Sequence, residues 1–229
     1  MGSVLSVIIP AINEEEGIGK TVSAIPKQKL KEMGYETEII VVDGNSRDRT
    51  AEVAGKAGAR VIVEPRRGYG LALRTGFDAA EGEVLVSSDA DHTYPVEDLP
   101  LLLAQMKENG FEFLSTDRFR TMEKEAMSAR NKLGNSILSI AAKALFGIPF
   151  NDSQSGMWLL RKEVWKKIRG NIRSDGMAFS QEIKIEAFRA GFRCGEVPIR
   201  YRKRYGEVKL NPWRDGAGNM LHLFEKRIR

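Results

Sequence analysis

The sequence predicts a doubly wound α/β fold, a mainly parallel sheet flanked by helices on both faces, and three observations carry that prediction. Short β-branched apolar runs alternate with longer segments whose apolar residues recur every three or four positions. Clusters of Gly, Asp, Asn and Arg fall just after those runs, where an open parallel sheet gathers its ligands. No internal repeat or low-complexity linker interrupts the pattern, and 42% of the 229 residues are hydrophobic, enough for a full core.

Val4–Ile9, Glu38–Val42, Arg60–Val63 and Val84–Ser88 read as the first four strands, with a weaker one at Phe113–Ser115. Between them Gly17–Ile25, Arg49–Ala57, Leu71–Ala80 and Leu99–Asn109 read as helices. The second half is less regular. It predicts helices at Ser128–Phe146, Glu163–Ile168 and Gln181–Ala190, and strands at Met157–Leu160 and Gly195–Tyr201. Residues 1–211 form one domain in this reading. The remaining 212–229 form an amphipathic basic helix, with Trp213, Ala217, Met220, Phe224 and Ile228 at helical spacing beside Lys226, Arg227 and Arg229.

Cys194 is the single cysteine, so neither an internal disulfide nor a cysteine-based metal site is available, and a reducing compartment is expected. No charged leader followed by an apolar segment is visible, and no apolar run reaches roughly 18 residues. A cytoplasmic protein follows, peripheral to the membrane if it touches one. Lys and Arg number 36 against 31 Asp and Glu, and the excess gathers from Arg189 onward, which points to an anionic partner. A net charge of +5 without interleaved aromatic and basic residues argues against nucleic acid.

Asp89 and Asp91, two apart in extended chain, would aim both carboxylates to one side and repel each other. A hard cation, Mg²⁺ or Mn²⁺, would relieve that repulsion and bind a diphosphate; a bare D-x-D is otherwise most often a turn cap and a solvated acid. Asp43 suits a ribose or base, while Ser46 or Asp48 suits the cap of the next helix. Asn13 is a helix cap, or its neighbour Glu14 touches a nucleoside. Gly68 and Gly70 permit close backbone approach beside Arg66 and Arg67, though their spacing is neither a Walker loop nor a dinucleotide fingerprint.

In order along the chain, Val7-Ile8-Ile9-Pro10 with Asn13-Glu14, Val41-Val42-Asp43-Gly44-Asn45-Ser46, Gly68-x-Gly70-x-Ala72 with Gly76, Asp89-Ala90-Asp91, Asp152-Ser153-Gln154-Ser155-Gly156 and Gly206-Glu207-Val208-Lys209-Leu210 resemble the family 2 inverting glycosyltransferases of the A-type (GT-A) nucleotide-sugar-binding fold, and among them the dolichyl-phosphate sugar synthases. The resemblance implies that Pro10, Asn13, Glu14, Asp43, Ser46, Gly70, Asp89 and Ala90 bind the nucleotide sugar, and that Asp91, with Asp89, holds the metal. It implies that Arg118, Arg130, Ser155, Arg202, Arg204 and Lys209 hold acceptor phosphate and donor diphosphate. Glu182 falls where many relatives place a catalytic carboxylate, although on a helix it could equally face solvent. Thr93 stands where the family often has Gln, and Ile12 where it usually has an aromatic residue.

The implied reaction moves a hexose from a nucleotide-diphosphate sugar to dolichyl, or another polyprenyl, phosphate with inversion. A phosphate monoester has its second pKa near ~6 and attacks without a general base. Two rivals remain open: transfer to a saccharide hydroxyl with Glu182 as base, and a nucleotide-sugar-binding protein without turnover.

Overall fold

The computed structural model of the protein describes residues 2–206 and 212–228, with the backbone alone for 212–215. One sheet of seven strands runs in the order β3-β2-β1-β4-β6-β5-β7. The strands are β1 Ser3–Ala11, β2 Tyr35–Asp43, β3 Arg60–Val63, β4 Val84–Ser87, β5 Phe113–Met122, β6 Trp158–Arg161 and β7 Cys194–Tyr201. Pairing is parallel throughout, except that β6 runs antiparallel to both β4 and β5. A mainly parallel, helix-flanked sheet is therefore what the chain builds.

Each central strand is apolar on both faces, and the alternation of side chains sorts them into two cores. Ile8, Ile40, Val42, Leu85, Trp158 and Leu160 face one layer, which holds α4 (Tyr69–Ala79), α6 (Ala129–Phe146), α7 (Lys162–Ile168), α8 (Phe179–Arg189) and α9 (Pro212–Ile228). Leu5, Val7, Ile9, Val41, Val86 and Leu159 face the other, with α1 (Ile18–Ala24), α2 (Lys27–Glu32), α3 (Thr50–Lys56) and α5 (Leu99–Glu108). Gly76 is fixed by this packing. A Cβ there would meet Ile8 Cγ2 at 2.4 Å, so α4 lies almost on β1.

Boundaries shift where polar residues are buried. β1 continues through Pro10 to Ala11 rather than stopping at Ile9, because at Pro10 only β2 is alongside, and a strand flank without a partner tolerates a residue that cannot donate. β5 extends to Met122 because Ser115, Thr116, Asp117 and Arg118 are buried, which hides the strand from an apolar count. The six-residue α2 buries only Leu30 and so shows no periodicity. The C-terminal helix forms as expected, but its face toward the protein carries Asn219 and Leu223, and the stripe of Ala217, Phe224 and Ile228 points outward.

Candidate active site

Leaving β1 the chain turns to β2 on one side, and leaving β3 it returns to β4 on the other, so the loops after β1 and β4 diverge and open a crevice. Asp89, Ala90 and Asp91 occupy the loop after β4. Asp89 lies beyond the strand and Ala90 and Asp91 in a turn, not in extended chain as the sequence suggests, because β4 ends at Ser87 and His92 adopts a left-handed φ of 62°. Ala90 is the turn's anchor: its carbonyl accepts from Thr21 Oγ1 at 3.1 Å, and a Cβ on Gly17 would meet that same oxygen at 2.8 Å. Asp91 is buried, and its Oδ1 accepts from the backbone N–H and hydroxyl of Thr93 at 3.1 and 2.7 Å. Thr93 thus orients Asp91. Asp89 is half-buried and accepts from the Tyr69 hydroxyl at 3.1 Å. Burial, and next the Asp91 charge, push its pKa up to about 7.

The loops after β1 and β2 are tied into one wall. Asp43 accepts from the Ser46 backbone N–H at 3.0 Å and from its hydroxyl; Ser46 Oγ in turn accepts from Asn13 N at 2.8 Å. Asn13 Oδ1 accepts from Arg47 N at 2.8 Å. Glu14 N donates to Thr50 Oγ1 at 2.7 Å, and Asp48, not Ser46, supplies the acceptor for Thr50 N at the start of α3. Asn13 and Asn45 take left-handed φ of 51° and 61°, which Asn tolerates better than most residues. Pro10 lies behind this wall, inside β1.

After β7 the chain folds back over the Asp91 turn, as Arg202 N donates to Thr93 O and Tyr205 N to Asp91 O, each at 3.0 Å. Arg204 reaches two carboxylates of the crevice, with Nη2 3.2 Å from Glu14 Oε1 and Nη1 3.7 Å from Asp91 Oδ2. Arg202 pairs instead with Glu97. Lys209 lies outside the described residues.

The Asp152-Ser153-Gln154-Ser155-Gly156 loop enters from the opposite side. Gly156 N donates to the Tyr94 hydroxyl at 2.6 Å and Gly156 O accepts from Ser87 Oγ at 2.8 Å. A Cβ on Gly156 would sit 2.9 Å from Tyr69 Oη and 3.0 Å from Asp89 Oδ1, so two motifs more than sixty residues apart in sequence meet in contact. Arg118 makes a two-pronged bond to Asp152, at 2.6 and 2.9 Å, with both side chains buried. Burial alone would raise the Asp152 pKa, but the Arg118 guanidinium holds it below the usual carboxylate range. Ser155 is buried, its hydroxyl 2.7 Å from that of Thr116.

Lys184 is the residue that sequence reasoning missed. Its Nζ donates to the carbonyls of Asp152, Ser153 and Ser155 at 2.9, 3.0 and 3.0 Å, using all three ammonium protons on one loop. Burial draws its pKa down to about 7. A lysine among Gln181, Glu182 and Glu186 on a helix reads as solvated, and no local signal marks it otherwise.

Glu182 does not face solvent. Its carboxylate accepts from Arg173 N and Ser174 N at 3.1 and 2.8 Å and pairs with Lys226 at 2.7 Å and His222 at 3.2 Å, clamping the loop before α8 to α9. Burial opposes ionisation, yet these partners bring its pKa down to about 2. From 4.5 to about 2 the stabilisation is on the order of 3 kcal/mol, complete above pH 4.5 and lost as pH falls towards 2. In a Glu182→Gln variant the stability lost between pH 5 and pH 2.5 should therefore be smaller than in wild type by about 2 kcal/mol, as read by urea unfolding at both values.

Arg130 sits exposed on the first turn of α6. Arg66 is engaged by Glu64 through two bonds of 2.8 Å. Gly70 is required by packing, since a Cβ would meet Phe179 Cβ and Ser174 O at 2.7 Å.

The carboxylate pair fits a hard divalent cation. Among the described residues no group of three His, Cys, Asp or Glu could hold a metal by itself, but two carboxylates completed by diphosphate oxygens and water is how Mg²⁺ and Mn²⁺ are commonly held beside phosphates. Burial first and the Asp91 charge second raise the Asp89 pKa, and a bound cation would oppose both.

The architecture defines the class. The sheet superposes, at a TM-score of 0.77 over 99% of this chain and 80% of the other, on glucosyl-3-phosphoglycerate synthase of Mycobacterium tuberculosis, solved with Mn²⁺, uridine-diphosphate-glucose and phosphoglyceric acid. At 21% identity that likeness establishes the GT-A fold. Sequence then establishes the family: the model described as Glycosyl transferase family 2 matches residues 6–169, and the chain belongs to that family. It is 36% identical to the dolichyl-phosphate hexose transferase of Haloferax volcanii, across 93% of this chain and 89% of the relative. It is 32% identical to the low-salt glycan biosynthesis hexosyltransferase Agl6 of the same organism, of which it spans 51%. The chain is accordingly a family 2 glycosyltransferase.

Proposed function

We propose that the protein transfers a hexose from a nucleotide-diphosphate sugar, such as GDP-mannose, UDP-glucose or UDP-N-acetylglucosamine, to a polyprenyl phosphate of the dolichyl type, with inversion and with Mg²⁺ or Mn²⁺. The observation that carries the reading is the contact of Gly156 with Asp89, which puts the loop bearing Ser155 and backed by Arg118 against the carboxylate pair. The dolichyl-phosphate relative supports the acceptor.

In this reading Asp43, Ser46, Asn13, Glu14 and Pro10 form the nucleoside wall, and Asp89 and Asp91 hold the cation, which neutralises charge on the departing diphosphate. Arg204, between Glu14 and Asp91, is placed to turn toward that diphosphate. Arg118, paired with Asp152, backs the loop on the acceptor side. The acceptor phosphate is largely dianionic at neutral pH and needs no proton removed, so displacement at the anomeric carbon is a single in-line step. Residues 1–211 carry this chemistry, and 212–229 serve as a helix toward the membrane, at the cytoplasmic face. No described helix is long and apolar enough to cross a membrane.

A carboxylate held at a pKa of about 2 is a weak base at neutral pH, which favours the phosphate acceptor over a saccharide hydroxyl activated by Glu182. Glu182→Gln should keep transfer within about tenfold of wild type at pH 7; a fall to background would favour the hydroxyl acceptor. The direct test is transfer from each radiolabelled donor to a short-chain dolichyl phosphate. A lipid-soluble product that disappears with EDTA is expected. Nucleotide binding without product from any donor would move the acceptor to a saccharide.

A further inference from the structure

The glycine motif after β3 does something other than let a ligand approach the backbone. A Cβ on Gly68 would collide with Asp175 O, and one on Gly70 would meet Ser174 O and Phe179 Cβ, both at 2.7 Å. Leu71 N donates to the same Asp175 oxygen at 3.1 Å. The main chain on either side of Tyr69 is thus pressed against the 174–175 carbonyls with no room for a side chain, and both glycines are taken up by packing. What they fix in place is the residue between them. The Tyr69 ring packs against the core, and its hydroxyl donates to Asp89 Oδ1 at 3.1 Å. Gly156 keeps that bond undisturbed from the other side, since a Cβ there would lie 2.9 Å from Tyr69 Oη and 3.2 Å from Asp89 Oδ2.

We propose that Tyr69 is a positioning residue for Asp89, and that its hydroxyl fixes which oxygen, and in which plane, this carboxylate offers to a divalent cation. The two carboxylates are held alike. Asp91 Oδ1 is taken by Thr93, while its Oδ2 faces Arg204 at 3.7 Å. Asp89 Oδ1 is taken by Tyr69, so Oδ2 is the oxygen that remains for a ligand. An aspartate turns about two bonds, and a donor on a ring locked in the core removes that freedom before the cation arrives. The donor is well suited to the task because its own backbone cannot shift: its flanking glycines abut the 174–175 carbonyls. Asp89 is half-buried and lies beyond the end of β4, so no ladder bond would hold it otherwise. The proposal rests on the reading of Asp89 and Asp91 as the cation site and is independent of the acceptor.

The test is calorimetric titration of the full chain with UDP and with GDP, over a series of Mn²⁺ concentrations that includes none, for wild type and Tyr69→Phe. Phe keeps the ring in the core and removes only the hydroxyl, so the circular dichroism spectrum should be that of wild type. The Mn²⁺ concentration that half-saturates the gain in nucleotide affinity should rise at least about tenfold in the variant. Affinity without metal should stay as in wild type, and excess Mn²⁺ should restore the gain, a rescue that a merely loosened fold would not show. A variant with the wild-type Mn²⁺ dependence overturns the proposal. So does an equal loss with and without metal, which would make the hydroxyl a support of the whole crevice. A wild-type protein whose nucleotide affinity gains nothing from Mn²⁺ would instead refute the cation reading itself, and the proposal with it.

Discussion

Asp91→Asn is expected to lower kcat/KM for sugar transfer by at least about 100-fold, the size of effect produced when about 3 kcal/mol of electrostatic stabilisation is lost from a transition state. The substitution is nearly isosteric, and an Asn oxygen can still accept from Thr93 N and Oγ1, so the turn that Ala90 anchors should survive. What disappears is a negative charge at the floor of the crevice, opposite Arg204. Nucleoside-diphosphate affinity measured calorimetrically with and without Mn²⁺ separates two roles. If Asp91 holds the cation, the metal-dependent part of the affinity vanishes in the variant and the metal-independent part remains. Equal metal dependence in both proteins would place the cation elsewhere.

The second large effect is on stability. Asp152→Asn leaves the Arg118 guanidinium buried without its counter-charge, and breaking a buried pair from one side costs about 3–5 kcal/mol. Set against a typical total of about 5–15 kcal/mol, that is enough to leave a measurable unfolded fraction on mild warming. Urea unfolding at pH 7 should show the loss as a lower midpoint with an unchanged slope. A loss below about 1 kcal/mol would mean that water reaches the pair. Transfer activity should fall further than stability alone accounts for, because Arg118 then lacks the partner that aims it.

The fold was legible because strand and helix periods are separated by polar clusters, and Val7 to Ile9, Ile39 to Val42 and Leu85 to Val86 are apolar on consecutive positions as two-sided burial demands. The wall made by the loops after β1 and β2, proposed to hold the nucleoside, was legible for the same reason: its residues cluster right after strands. The proposed acceptor side was only partly so. Arg118 and Asp152 are 34 residues apart and lie in stretches that look like ordinary surface, and Lys184 announces itself in no local pattern. Glu182 was visible as a residue but not as a clamp, since its partners Lys226 and His222 come from the far end of the chain. Local pattern reports which residues share a strand end. It does not report which charges close across the core.

Lys184 also ties two parts of the chain into one unit. The loop it grips lies within the segment matched by the family model, residues 6–169, yet the ammonium that satisfies the loop's carbonyls arrives only with α8. The Asp152–Gly156 loop therefore draws its support from beyond the matched segment, so residues 6–169 are not self-sufficient in space.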